Sequence, residues 1–244
     1  MPSRTGEIRI AHSSDLHVDD GYTMRAWNGD GNGPLEAVID AAHSAGAHVL
    51  LLTGDVFEHN RLKDDILSRT RQLLSEAPLP VVMLPGNHDP LTEESVWRRG
   101  EITALPGIHV LGDDGSETAT FTEFDLDIWG RAHVDYDDMA PLSGSPDRRA
   151  VHHIAAAHGH YVETRPEGSA PRASWLITAD EIEETDADYV ALGHWNVFTK
   201  VGCGGVPARY SGAPDYANTI NIVRLSEKGD TEIERFPVRG PGAI

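Results

Sequence analysis

Pro80-Val81-Val82-Met83-Leu84-Pro85-Gly86-Asn87-His88-Asp89 joins a short apolar run to a polar turn. Its apolar core, Val81 to Leu84, sits between two prolines and reads as a buried strand. A tight turn follows, carrying an amide, an imidazole and a carboxylate in consecutive positions. Open α/β sheets place their sites at the C-terminal ends of strands, so this cluster is a candidate site component. Asp15 with His17, and Asp55, close two earlier strands in the same manner. Strand ends that finish in ligand-type residues point to a metal centre.

Working outward, residues 7–11 alternate and predict the first strand, and residues 20–33, rich in Gly, Asp and Asn, predict a loop. Pro34 opens a helix whose apolar face is Leu35, Val38, Ile39 and Ala42, with Gly46 as its stop. Residues 48–53 form a continuous apolar strand ending in Gly54-Asp55, and residues 62–76 form a second helix. The order up to Leu84 is therefore β-α-β-α-β, which argues for parallel strands with right-handed crossovers. Beyond it, a short helix is expected at 92–98 and shorter strands at 108–111, 118–124 and 126–129, the last two as a hairpin. Residues 135–149 read as loop, and residues 163–174 as a polar loop long enough to serve as a lid or rim.

Residues 151–157 return to a buried strand ending in His158-Gly159-His160. Thr178 caps a helix over 178–184 with Glu181 at its third position. Residues 189–192 are a buried strand ending in Gly193-His194-Trp195-Asn196. A run of antiparallel strands is then expected at 197–201, 208–211, 219–225 and 231–236, with turns at Gly204-Gly205 and Lys228-Gly229. No repeat or linker divides the chain, so residues 1–244 are read as a single domain.

Composition narrows the chemistry. Cys203 is the only cysteine, which excludes an internal disulfide and thiolate metal sites and leaves His, Asp, Asn and Glu as ligands. No apolar run approaches the ~18 residues of a membrane span. Residues 1–7 carry no apolar leader core and ligand-type residues begin at Asp15, so a cytoplasmic location is expected. The formal net charge of −19 weighs against broad binding to a nucleic-acid backbone, although bound cations would add local positive charge. The plainer account of the acidity is surface solubility.

Taken singly, each His of such a chain is more often a surface or hydrogen-bonded residue than a ligand. His12 is expected to hydrogen-bond in the core. His43, His48, His59, His109, His133, His152 and His153 are assigned to the bystanders. Five ordered strand ends bearing Asp15 and His17, Asp55, Asn87 and His88, His158, and His194 with Asn196 are a different matter. The order D-x-H, G-D, G-N-H-D, H, G-H-x-[HN] resembles that of the calcineurin-like metallophosphoesterases over nearly the whole chain. Ser14-Asp15-Leu16-His17, Tyr210-Ser211-Gly212 and the small size are similar to the branch that contains the SbcD-type DNA repair nucleases.

That resemblance implies an α/β fold, a four-layer αββα sandwich of two mixed sheets, with a dinuclear site along one edge. It implies that Asp15 and His17 hold the first metal, that Asp55 bridges, and that Asn87, His158 and His194 complete the second. Oxygen and imidazole donors suit Mn²⁺ first, with Fe or Zn²⁺ as alternatives. Two ions ~3.5–4 Å apart can bind a phosphoryl oxygen, generate the hydroxide nucleophile and stabilise in-line displacement. His88 is the candidate general acid and Asp89 its orienting carboxylate, the alternative for Asp89 being to cap N–H groups of the turn. Asn196 departs from the branch's G-H-x-H, so an amide stands where an imidazole would complete the first metal's shell; it too has a turn-capping alternative. His160 is placed at the phosphate pocket or in solvent, and Trp195 in a base stack or in the core.

The expected substrate is a phosphodiester: a DNA end, a nucleotide or a small diester, with no membrane partner. The alternatives are a small-molecule phosphomonoesterase and a regulatory module whose metal site no longer turns over.

Overall fold

The computed structural model describes residues 7–165, 173–227 and 229–240. Most of the expected rim loop (166–172), Lys228 of the last expected turn, and residues 1–6 of the segment read as lacking a leader core lie outside the described residues. In chain order the strands are β1 (Ile8–Ser13), β2 (Val49–Thr53), β3 (Val81–Leu84), β4 (Ile108–Val110), β5 (Thr118–Phe121), β6 (Leu126–Gly130) and β7 (His152–His158). They continue as β8 (His160–Val162), β9 (Leu176–Thr178), β10 (Tyr189–Gly193), β11 (Thr199–Val201), β12 (Ala208–Tyr210), β13 (Thr219–Leu225) and β14 (Thr231–Pro237). The α-helices are α1 (Gly21–Ala26), α2 (Gly33–Ser44), α3 (Asp64–Ser75), α4 (Val96–Arg99), α5 (Ala179–Glu184) and α6 (Pro214–Ala217).

One six-stranded sheet has the order β14-β13-β1-β2-β3-β4 and a second has β11-β12-β10-β7-β6-β5. Both are mixed; in the first, β1 to β4 are parallel neighbours, and β13 and β14 join antiparallel. Strand β2 shows how the layers arise. All five of its residues are buried, with Val49 and Leu51 facing the second sheet and Leu50 and Leu52 facing the helices. An apolar run covered on both faces is what a parallel strand between layers needs. Ile10, Leu51, Val82, Ile128, Ile154, Ala191 and Val223 fill the space between the sheets, and α2 and α3 cover the outer face of the first. The outer face of the second is covered more thinly, by Ile182 of α5 and by Leu142.

Two expectations are corrected. Residues 20–33 are not all loop: Gly21–Ala26 is a helical turn and a half, nucleated where the Asp20 carboxylate accepts the Tyr22 and Thr23 N–H groups. The last four strands are not one antiparallel run. β12 joins β10 in parallel, while β13 crosses to the first sheet and pairs with β1. Alternation gives each strand a buried face but does not say which sheet supplies the cover. The 118–121 and 126–130 strands do form the expected antiparallel pair, and Thr178 with Glu181 forms the expected capping box.

A buried polar bridge ties the sheets beneath the site. His12 on β1 contacts the Tyr189 hydroxyl on β10 through Nδ1 (2.9 Å) and the Thr53 hydroxyl on β2 through Nε2 (2.9 Å). Burial holds the ring neutral and pushes its pKa down to about 3. Below an unfolded-state pKa near ~6.5 the unfolded chain takes up a proton that the native chain refuses. His12 therefore removes stability as pH falls from about 6.5, at a slope approaching ~1.4 kcal/mol per pH unit. His12→Leu is expected to cost about 1–3 kcal/mol at pH 7.5, because Tyr189 and Thr53 lose a buried partner. The same variant should lose less stability than wild type between pH 6 and 4.5, which urea unfolding at both pH values measures.

Candidate metal centre

The C-terminal ends of β1, β2 and β3 in one sheet and of β7 and β10 in the other converge. Asp15 and His17 follow β1, Asp55 follows β2, Asn87 and His88 follow β3, His158 ends β7 and His194 follows β10. The backbone at these strand ends is unusual. Asp15 (φ 56), His17 (φ 46), Asp55 (φ 50) and His194 (φ 108) all adopt positive φ, a region that non-glycine residues seldom enter. Such backbone concentrates where the surroundings hold a functional geometry. Gly193 lets β10 lie against β2, since a Cβ there would stand 1.8 Å from the Thr53 carbonyl oxygen.

The side chains are cross-linked between sheets. The His194 N–H donates to the Asp15 carboxylate (3.0 Å to Oδ2), and the His88 N–H to Asp55 Oδ1 (2.9 Å). His158 Nε2 lies 3.2 Å from Asp55 Oδ2 and 3.0 Å from Asn87 Oδ1, and His194 Nδ1 lies 3.1 Å from the same amide oxygen. Potential ligand atoms of Asp15, His17 and Asp55 fall within 4.8 Å of one another, as do those of Asp55, His158 and His194. Asp55 is common to both groups. A third group, His17 with Glu58 and His88, adjoins them.

The donor set can be tested for a cation on its own chemistry. His158 Nδ1 is 2.9 Å from the Thr53 carbonyl oxygen, so that nitrogen carries the hydrogen. Nε2 then faces a carboxylate and an amide oxygen, both acceptors. A neutral imidazole lone pair among acceptors is unfavourable; a proton on Nε2, or a cation between the atoms, resolves it. Burial opposes the proton, yet Asp55 overrides burial and carries the His158 pKa up to about 9. For Asp55, burial is likewise outweighed by His158, which holds the carboxyl below its usual range. Burial raises Asp15, with partial relief from His158. Burial and the neighbouring His158 push His194 down to about 4, leaving it a neutral donor. The residues fit divalent cations: buried carboxylates, a neutral imidazole at His194 and a carbonyl-fixed tautomer at His158, whose Nε2 a cation can take in place of a proton, suit metal ligands.

Asp89 makes the turn-capping contacts expected as its alternative role. Its buried carboxylate accepts the Gly86 N–H (2.7 Å) and the Phe57 N–H (3.0 Å), and burial together with Asp55 pushes its pKa up to about 7. It staples the β3 turn to the β2 loop. The contact on His88 Nδ1 comes instead from the Glu58 carbonyl oxygen (3.0 Å), with the Glu58 carboxylate at 3.7 Å. Glu58 also binds His17 Nδ1 at 2.7 Å. Burial lowers His17, but Glu58 outweighs it and the pKa rises to about 9. Sequence reading missed Glu58, although its place three residues after Asp55 in the same loop is the signal that could have found it.

Asn196 is exposed and borders a cleft with His17 and Glu58; its carbonyl accepts the Ala213 N–H (3.1 Å). His160 is exposed and its Nδ1 accepts the Trp195 indole N–H (3.0 Å). Trp195 stacks on Tyr210 at 4.3 Å, so its ring is committed to the protein. His133 is hydrogen-bonded, as expected of it: it is buried, bonds the His158 carbonyl oxygen through Nε2 (2.9 Å) and packs edge-on against the His158 ring.

Comparison with known proteins bears on the fold and the family. The chain is 24% identical over 238 residues to the DNA double-strand break repair protein Mre11 of Methanopyrus kandleri, a match covering 88% of this chain and 50% of the relative. The chain thus spans about half the length of that relative. The crystal structure of TT1561 from Thermus thermophilus superposes with a TM-score of 0.56 at 15% identity, covering 95% of this chain and 99% of the other. A further crystal structure gives 0.58 at 12% identity, covering 94% and 99%. The family model for calcineurin-like phosphoesterases matches residues 8–198, the interval that carries every strand end described above, and the chain belongs to that family.

Proposed function

We propose that the chain hydrolyses a phosphodiester with two divalent ions, Mn²⁺ first among them. The observation that carries this is the sharing of Asp55 between two groups of ligand atoms. In this reading Asp15 and His17 hold one ion, Asn87, His158 and His194 the other, and Asp55 both. Asn196, on the same cleft as His17, would supplement the first with an amide oxygen. When bound, the ions supply Lewis-acid charge to the phosphoryl oxygens and lower the pKa of the attacking water.

The protein's own groups do the rest. His88, with Nδ1 hydrogen-bonded to the Glu58 carbonyl, presents Nε2 to the leaving oxygen as general acid. Glu58 fixes His17 and His88 together, the positioning part first given to Asp89. Asp89 keeps the turn that carries both Asn87 and His88. Two clefts share Glu58, one also lined by His88, Tyr136 and Trp175 and the other by His17, Tyr22 and Tyr216. Room in both for a substituent supports a diester over a monoester. The family acts on phosphoesters, and the relative's name concerns DNA. The net charge of −19 supports a nucleotide or small diester over a long polyanion, in a cytoplasmic setting. Among the described residues no helix is long and apolar enough to cross a membrane.

The test is a substrate panel with Mn²⁺: bis-p-nitrophenyl phosphate, p-nitrophenyl phosphate and single-stranded DNA. Hydrolysis of the diester ahead of the monoester is expected. Monoester turnover alone, or no turnover with full metal content, would overturn the reading in favour of a phosphatase or a regulatory module. His88→Ala should lower diester turnover roughly 10²–10⁴-fold with metal content unchanged. Calorimetric titration should show two classes of Mn²⁺ site, and Asn196→His should tighten the weaker, since imidazole is the better donor; two equal tight sites in wild type would argue against the part given to Asn196.

A further inference from the structure

We propose that Trp175 and Tyr136 form a stacking subsite for a planar aromatic group of the substrate, a nucleobase, and that this subsite reads the base by its face rather than its edge. The proposal rests on the phosphoester reading and names its substrate class.

Trp175 is held in a conformation that its own chemistry disfavours. Its φ is 45°, a left-handed value that is an outlier for a bulky side chain. Neighbours pin it there. The Asp138 carboxylate accepts the N–H groups of Ser174 (3.0 Å) and Trp175 (2.8 Å), and the Trp175 carbonyl accepts the His160 N–H (3.0 Å). The indole N–H donates to the Asp137 carbonyl oxygen at 2.9 Å. The ring sits edge-on to His194 (5.9 Å between centroids) and to His133 (5.4 Å), so it touches the candidate metal centre directly. An observed outlier fixed on every polar atom, beside a site, is the kind that marks function.

The same ring borders an open cleft of about 630 Å³, within the size range of small-molecule sites, whose other walls include Asn60, Arg61, Asn87, His88 and Tyr136. Tyr136, a large ring on the same cleft, is 59% exposed. Two of the polar groups on the aromatic side of the cleft, Asn60 and the Trp175 indole, are already engaged. Asn60 gives its amide N–H to the Pro90 carbonyl (2.9 Å), and its oxygen accepts the Val96 N–H (3.0 Å). The Trp175 N–H is taken by Asp137. What these aromatic walls offer is π surface, and stacking tolerates any base because every base has a π-face. Arg61 adds positive charge at the cleft, suited to a phosphate or a ring.

The experiment is calorimetric titration of the full chain in Mn²⁺ with AMP, GMP and ribose 5-phosphate, with bis-p-nitrophenyl phosphate hydrolysis measured in parallel. AMP should bind roughly tenfold or more tightly than ribose 5-phosphate, which lacks only the base. GMP should fall within about threefold of AMP, since the two present different edges and similar faces. Trp175→Ala should abolish the gap between AMP and ribose 5-phosphate, Trp175→Phe should keep most of it, and Tyr136→Ala should narrow it. Tyr136 lies at the surface, so its variant decides the matter if Trp175→Ala fails to fold. Equal affinities in wild type, no binding of either ligand, or an unchanged gap in Tyr136→Ala and Trp175→Ala would overturn the subsite. Hydrolysis without the gap overturns the subsite alone. The gap without hydrolysis overturns the phosphodiesterase reading and leaves the subsite standing.

Discussion

Asp55→Asn is expected to abolish Mn²⁺-dependent diester hydrolysis and to weaken metal affinity by more than roughly 100-fold. Losing an outer-shell partner already costs a metal site about 10–100-fold. Asp55 stands in both groups of ligand atoms, so its loss strikes the whole centre. The substitution keeps the side chain's shape and an acceptor oxygen for the His88 N–H. It removes the charge that carries His158 up to about 9 and that adds to the burial raising Asp89. Because the buried Asp55–His158 pair is broken, the metal-free variant should melt below the metal-free wild type, so each protein is compared with its own metal-free form. The reading is the ligand-linked gain. Wild type at a free metal concentration of a hundredfold its Kd gains about 2.7 kcal/mol per site. A variant that still gained stability with Mn²⁺ as wild type does would show that Asp55 holds no metal.

Gly193→Ala should be the most damaging change away from the ligands themselves. The added Cβ would lie 1.8 Å from the Thr53 carbonyl oxygen, 2.8 Å from His158 Nδ1 and 3.0 Å from the Ser14 Cβ. The nearest of these is backbone of the facing sheet, which cannot swing aside as a flexible side chain would. Either β10 withdraws or β2 does. A cost of about 3 kcal/mol, at the upper end for overpacking, is expected in chemical denaturation. The Thr53 carbonyl is also the acceptor that fixes the His158 tautomer, so metal affinity should fall along with stability. Gly205→Ala is the control. Its Cβ meets only a Glu183 carboxylate oxygen, at 3.8 Å. A change within about ±0.5 kcal/mol is expected there.

These two positions show what the sequence made legible. Val81–Leu84 and Thr219–Leu225 emerge with the bounds expected of them, because an apolar run between prolines or turn residues has few alternatives. The ligand-type strand ends were legible for the same reason: each follows such a run, and the fold brings them together. Position in three dimensions was less legible. That β13 pairs with β1 and β12 with β10 follows from which surface is left uncovered once both sheets form, and alternation carries no record of that. Glu58 acquires its meaning from His17, 41 positions away in the chain. Asp89 turned inward because two N–H groups, of Gly86 and Phe57, needed a buried acceptor. Trp175 is set by a backbone angle that no composition reveals.

The central claim is a pair of divalent ions sharing Asp55. Anomalous scattering from crystals grown with Mn²⁺ tests it most directly. Two peaks roughly 3.5–4 Å apart, with the Asp55 carboxylate between them, are expected. One peak should lie toward Asp15 and His17, the other toward Asn87, His158 and His194. A single peak, or two that do not share Asp55, would contradict it.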